Sequence, residues 1–123
     1  MADAGIWIAW GGLPARGREP QALELLRETT TGYLDQLRGD GRIERFDTAI
    51  LRPQSTELGG FILIQGTQDQ IDALRRAPDF EQWATRVQLV ADRVGMVEAW
   101  VNDGLGEAMD LYNEALHQAG ILP

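Results

Sequence analysis

Apolar positions along the chain recur at two spacings, and each change of spacing marks a new element. Ile6, Trp7, Ile8, Ala9 and Trp10 form a short apolar run ended by Gly11-Gly12, which reads as a buried strand. After a loop to Glu19, Pro20 stands where a first helical position would fall. Leu23, Leu26, Tyr33, Leu34 and Leu37 then follow at helical spacing, and Gly39-Asp40-Gly41 ends the helix. Thr29-Thr30-Thr31-Gly32 is a weak patch inside it, because β-branched residues and glycine are poor helix formers. The patch predicts a kink or, alternatively, a point of close approach for a ligand.

Arg42 to Arg52 reads as a second strand stopped by Pro53, and Gln54 to Gly60 as the turn behind it. Phe61 to Gln65 is a third strand. Thr67 with Gln70 has the spacing of a capping box, opening a short helix that carries Ile71 and Leu74 and ends at Pro78. Asp79 and Gln82 repeat that spacing before a helix with the stripe Phe80, Trp83, Ala84, Val87 and Val90. Val94 to Asn102 is the fourth strand. A last helix, about 105–119, places Leu105, Met109, Tyr112 and Leu116 on one side, with Gly120 as its stop.

The predicted order is β-α-β-β-α-α-β-α, two β-α-β units joined by a hairpin. It implies an α+β, ferredoxin-like βαββαβ domain spanning 1–123, with an antiparallel four-stranded sheet. The helix from Asp79 before the last strand and the C-terminal helix are additions to that minimum. Trp7 to Trp10, Leu23 to Leu37, the hairpin from Leu51-Arg52-Pro53 to Gly59-Gly60-Phe61-Ile62, and the strand Gly95 to Val101 together resemble the dimeric α/β-barrel superfamily. The resemblance is topological and covers nearly the whole chain. It implies a two-fold homodimer built through the sheet face.

Alternation within the strands points the same way. One assignment puts Ile8, Ile62, Ile64, Val97, Ala99 and Val101 under the helices. The far face then presents Trp7, Phe61, Leu63, Met96 and Trp100, interrupted by Gln65 and Glu98. The second strand fits either way, with Arg45, Asp47, Ala49 and Leu51 opposing Glu44, Phe46, Thr48 and Ile50. So large an apolar face calls for cover by a second copy or by the C-terminal helix.

Composition narrows the chemistry. The chain has 123 residues, enough for one domain with a real core, and no apolar run approaches the roughly 20 residues of a membrane span. The net charge of −8 disfavours nucleic acid, and all 11 basic residues are arginine. The first residues lack the basic region of a signal peptide, so a cytoplasmic location is the default expectation. With no cysteine and a single histidine, His117 on the polar side of the last helix, the sequence predicts no metal site, haem or Ser-His-Asp triad, and no cofactor.

Glu98 is the sharpest candidate for chemistry, two residues from Trp100 on an apolar strand. Carboxylates sheltered by aromatic surface hold their protons to higher pH, which suits a general acid or base. The competing expectation is an ion pair with Arg45 or another arginine, or exposure at the sheet edge. Asp47 is a second candidate proton carrier, and both Asp47 and Gln65 interrupt strands where they could orient a ligand. Trp10, Tyr33 and Trp83 are placed to line a pocket between sheet and helices, or simply to fill the core. Trp7 and Trp100 complete the candidate aromatic surface for a hydrophobic or aromatic ligand. Arg16 and Arg18, before the first helix, could hold an anion but match no phosphate-loop motif.

Two functions follow as expectations. One is a small-molecule-binding or regulatory dimer. The other is a cofactor-independent oxygenase or isomerase acting on an aromatic or polyketide-like substrate, with Glu98 or Asp47 moving the proton. Several enzymatic branches of the resembling superfamily use a histidine near the pocket, which this chain lacks there.

Overall fold

A computed structural model describes residues 2–123. The strands are β1 (Ala4–Trp10), β2 (Arg45–Ile50), β3 (Gly60–Gly66) and β4 (Gly95–Trp100), and the helices are α1 (Glu19–Glu28), α2 (Leu34–Gly39), α3 (Gln68–Arg76), α4 (Pro78–Val90) and α5 (Gly104–Gln118). All strand pairs are antiparallel, in the order β2-β3-β1-β4. The two central strands, β1 and β3, are the most apolar, and the edges fall to the more polar β2 and β4. This is the split arrangement expected from the element order, with both added helices present.

The long first helix is interrupted where the threonine run predicts it. Thr29–Tyr33 forms a π-helical turn between α1 and α2. The hydroxyls of Thr30 and Thr31 donate to the carbonyls of Leu26 and Arg27 at 2.9 and 2.6 Å, taking acceptors that an unbroken α-helix would give to backbone N–H groups. Thr67 and Gln70 close the expected capping box on α3. The repeat of that box does not form: Ala77 caps α4, and Asp79 in its first turn is held by other partners. The second strand starts at Arg45 rather than Arg42, whose side chain reaches Asp79 instead.

The core lies between the helices and one sheet face. Ala4, Ile6 and Ile8 of β1, Ile62 and Ile64 of β3, Leu34 and Leu37 of α2, Ile71 and Leu74 of α3, and Phe80, Trp83 and Val87 of α4 are buried there. The pairing of β4 with β1 corrects one expectation. Ala4 lies opposite Trp100, Ile6 opposite Glu98 and Ile8 opposite Met96, so Met96, Glu98 and Trp100 share the helix side with the core. Val97 and Ala99 pair with Trp7 and Gly5 and face away from the helices. Trp7 and Trp100 are therefore on opposite faces. Small apolar residues suggest burial under helices, but backbone register decides the face, and a one-residue slip inverts every side chain. Register also settles β2: Phe46 and Thr48 pair with Ile64 and Ile62 on the helix side, leaving Arg45, Asp47 and Ala49 on the far face.

The far face therefore carries Trp7, Phe61, Leu63, Val97 and Ala99. Trp7 and Phe61 stack with ring centroids 4.6 Å apart, yet Trp7 is 39% and Val97 60% exposed. The C-terminal helix does not cover this face. It approaches β4 at Trp100 and leaves Met109 and Tyr112 exposed. Among the described residues, no helix is long and apolar enough to cross a membrane.

Candidate functional site

A cavity of about 420 Å³ lies between the sheet and helices α1 and α4. Ile8 and Ile62 form its floor, Ala22, Leu25, Leu26 and Thr29 one wall, and Trp83, Val87 and Val90 the other. Its mouth is the sheet end where β1 finishes and the β2–β3 hairpin turns, framed by Trp10, Leu58 and Gly59. This rim is tied down by backbone bonds: Gly11 N–H to the Asp92 carbonyl at 2.7 Å, Gly12 N–H to Thr56 at 2.9 Å and Gly59 N–H to Trp10 at 2.9 Å. Gly59 is needed for that closure, since a Cβ there would fall on the Gly11 carbonyl and the Trp10 ring.

The walls are almost wholly apolar. Glu19, at the start of α1, is the one ionisable side chain among the lining residues. Thr29 and Trp83 form the buried polar contact of the wall, with the indole Nε1 donating to Thr29 Oγ1 at 2.8 Å. Tyr33 packs against Trp83 at a ring separation of 5.8 Å but does not line the cavity. Its hydroxyl donates to Asp79 at 2.8 Å, and Arg42 grips the same carboxylate with two bonds of 2.8 and 2.9 Å. The Arg42 guanidinium outweighs the opposing effect of burial and, with a smaller contribution from the Tyr33 hydroxyl, holds the Asp79 carboxyl down at about 2. Burial, reinforced by the Asp79 hydrogen bond, pushes the Tyr33 phenol above its ordinary range. This cluster braces the π turn behind the cavity.

The candidate residues are thus dispersed over the fold. Trp10 and Trp83 line the cavity, and Tyr33 stands behind it. Trp7, Gln65 and Asp47 lie on the far sheet face. There Gln65, only 4% exposed, donates to Asp47 at 2.7 Å and accepts from Asn102 at 3.1 Å, while Arg45 also binds Asp47. Trp100 lines an open groove under α5 with Leu105, Met109 and Tyr112. Glu98 is about half exposed at the sheet edge and pairs with Arg75 at 2.5 Å, so it is not the sheltered carboxylate its neighbour Trp100 suggests. Arg16 and Arg18 are exposed and do not line the cavity. His117 is exposed in the last turn of α5, at the negative end of the helix dipole and away from the cavity.

The sequence marks Thr29 only as part of the Thr29–Gly32 patch and does not mark Glu19. The available signal was Thr29 at the position three and four residues after Leu26 and Leu25, a polar group on an apolar helix stripe.

Comparison with solved structures settles the architecture. The chain superposes on a dimeric ferredoxin-like protein of unknown function from Jannaschia sp. CCS1 with a TM-score of 0.59, at 14% identity, over 80% of this chain and 98% of that one. The fold is ferredoxin-like. A dimeric ferredoxin-like protein of unknown function from Bacteroides fragilis NCTC 9343 gives a TM-score of 0.57 at 10% identity, covering 80% of this chain and 96% of the other. A hypothetical protein from Arabidopsis thaliana gives a TM-score of 0.57 at 13% identity, covering 83% and 90%. No protein-family model and no curated protein matches the sequence. At these identities the likeness extends to the ferredoxin-like backbone and its layers, not to site residues.

Proposed function

We propose that the protein is a small-molecule-binding homodimer whose ligand, a hydrophobic or aromatic compound, occupies the cavity between the sheet and α1 and α4. The cavity carries this reading: its volume of about 420 Å³ is in the range of ligand pockets, and its walls are apolar with one ionisable residue. Binding or regulation fits this wall better than turnover. Neither Glu98, paired with Arg75 at the edge, nor Asp47, on the far face, reaches it. The oxygenase or isomerase reading thereby loses both of its proton carriers.

The dimer is supported by the far face. Trp7 and Val97 are exposed and Phe61 and Leu63 half-buried on that face, an apolar patch that a two-fold contact with a second copy would cover, and its burial is favourable by the hydrophobic effect. The similar structures from Jannaschia sp. and Bacteroides fragilis are described as dimeric.

Two measurements test the proposal. Sedimentation velocity at micromolar concentration is expected to give a dimer, and Val97→Arg a monomer; a wild-type monomer overturns the assembly. Calorimetric titration with a planar aromatic hydrocarbon, β-isopropenylnaphthalene, is expected to saturate at one site per protomer. Ala22→Phe, which fills the cavity from α1, is expected to abolish that binding while circular dichroism stays unchanged. Equal binding by wild type and Ala22→Phe places the ligand elsewhere.

A further inference from the structure

Of the three threonines in the π turn, only Thr29 lines the cavity. Thr30 and Thr31 donate their hydroxyl protons to carbonyls one turn back, at 2.9 and 2.6 Å. Thr29, the first of the run, behaves differently. Its side chain is 2% exposed, lies on the cavity wall, and accepts from the indole Nε1 of Trp83 at 2.8 Å. An indole N–H can only donate, whereas a hydroxyl has one proton to give and two lone pairs. Pairing with Trp83 therefore occupies a lone pair and leaves the Thr29 proton to be given. Among the hydrogen bonds of the described residues, none has the Thr29 hydroxyl as donor. A buried donor on a cavity wall is costly until an acceptor meets it.

We propose that Thr29 is the specificity-determining donor of this cavity and that the ligand is a planar hydrophobic compound bearing a neutral carbonyl oxygen, seated with that oxygen on the Thr29 hydroxyl. This deepens, and rests on, the reading of the cavity as a ligand site. Apolar rings match the walls of Leu25, Leu26, Ile62 and Val87. Neutrality follows from the charge there: the one ionisable lining residue is the carboxylate of Glu19, which repels an anion, and no cation lines the wall to hold one. Trp83 acts as a positioning residue. By holding the threonine oxygen from one side, it fixes the rotor so that the proton points away from the indole.

The test compares β-acetonaphthone with β-isopropenylnaphthalene, which replaces the carbonyl oxygen by a methylene of nearly the same shape. Wild type is expected to bind the ketone about three- to tenfold more tightly, the size of one neutral hydrogen bond. Thr29→Ser is expected to keep that preference. Thr29→Val is expected to erase it, so that the variant binds the two probes equally. Infrared difference spectra are expected to show the bound ketone's carbonyl stretch lowered in wild type and Thr29→Ser. Equal affinity of wild type for the two probes, or a preference that survives Thr29→Val, overturns the assignment to Thr29 while leaving the cavity reading intact. If Thr29→Val does not fold, an unshifted carbonyl band in wild type and Thr29→Ser overturns it. Binding of neither probe removes the cavity reading and the proposal together.

Discussion

The indole of Trp83 donates to Thr29 Oγ1 over 2.8 Å, joining α4 to the π turn between α1 and α2. Both residues are buried, at 5% and 2% exposure, which makes an unpartnered donor there costly. Thr29→Val is expected to lower unfolding free energy by about 1–3 kcal/mol, because the indole N–H is left unpartnered. Thr29→Ser keeps the oxygen and is expected to cost less than about 1.5 kcal/mol, reflecting only the missing methyl. Urea titrations of the two variants check the order.

Asp79 predicts an acid limit. Its carboxyl is drawn from the ordinary 3.8 to about 2, chiefly by the Arg42 guanidinium. A group whose folded pKa is depressed stabilises the fold above its unfolded pKa, and that contribution disappears as pH falls through the folded value. The clamp is therefore fully present above about pH 4 and is lost between about pH 4 and 2. Asp79→Asn is expected to cost about 0.5–1 kcal/mol near neutrality, since the pair is partly exposed, and the gap to wild type should close across that acid window. Tyr33, with its phenol pushed upward, acts in the opposite sense: its contribution stands below about pH 10 and declines as pH rises beyond it. Urea midpoints measured across pH for wild type, Asp79→Asn and Tyr33→Phe test both limbs.

Gln65 is buried on the face away from the helices, bonded to Asp47 and Asn102. Gln65→Leu preserves its bulk and removes both bonds. Asp47 keeps Arg45 and Asn102 keeps the Ala2 carbonyl, so neither partner is orphaned. The expected loss is about 1–2 kcal/mol, at the modest end for two hydrogen bonds. A loss above about 4 kcal/mol would assign the cluster a larger role than its contacts explain.

Glu98 provides the contrasting case. Both it and Arg75 are about half exposed, so their ion pair is screened by water. Glu98→Gln is expected to change stability by less than about 1 kcal/mol and to leave binding of β-isopropenylnaphthalene unaltered. Altered binding in that calorimetric titration would connect the sheet edge to the cavity.

The elements and their order were legible in the residues because they depend on local causes. Two apolar periods, the Thr67–Gln70 capping box and the Gly and Pro stops are each set within a few positions of chain. The threonine run likewise announced an interrupted helix, since hydroxyls one turn from a carbonyl compete for it wherever that helix packs. Register is a different kind of fact. Whether Trp100 faces the helices or the far side depends on its pairing with Ala4, nearly a hundred positions away, and no local pattern on β4 carries that parity. The candidate site divided for the same reason. The sequence by itself determined the strands, the helices and the aromatic residues available to them; tertiary structure decided that Trp7 meets solvent, Trp100 meets α5, Glu98 meets Arg75 and Trp83 meets Thr29 in the cavity wall. Short-range sterics and hydrogen bonding choose an element, but only long-range pairing chooses what its side chains touch.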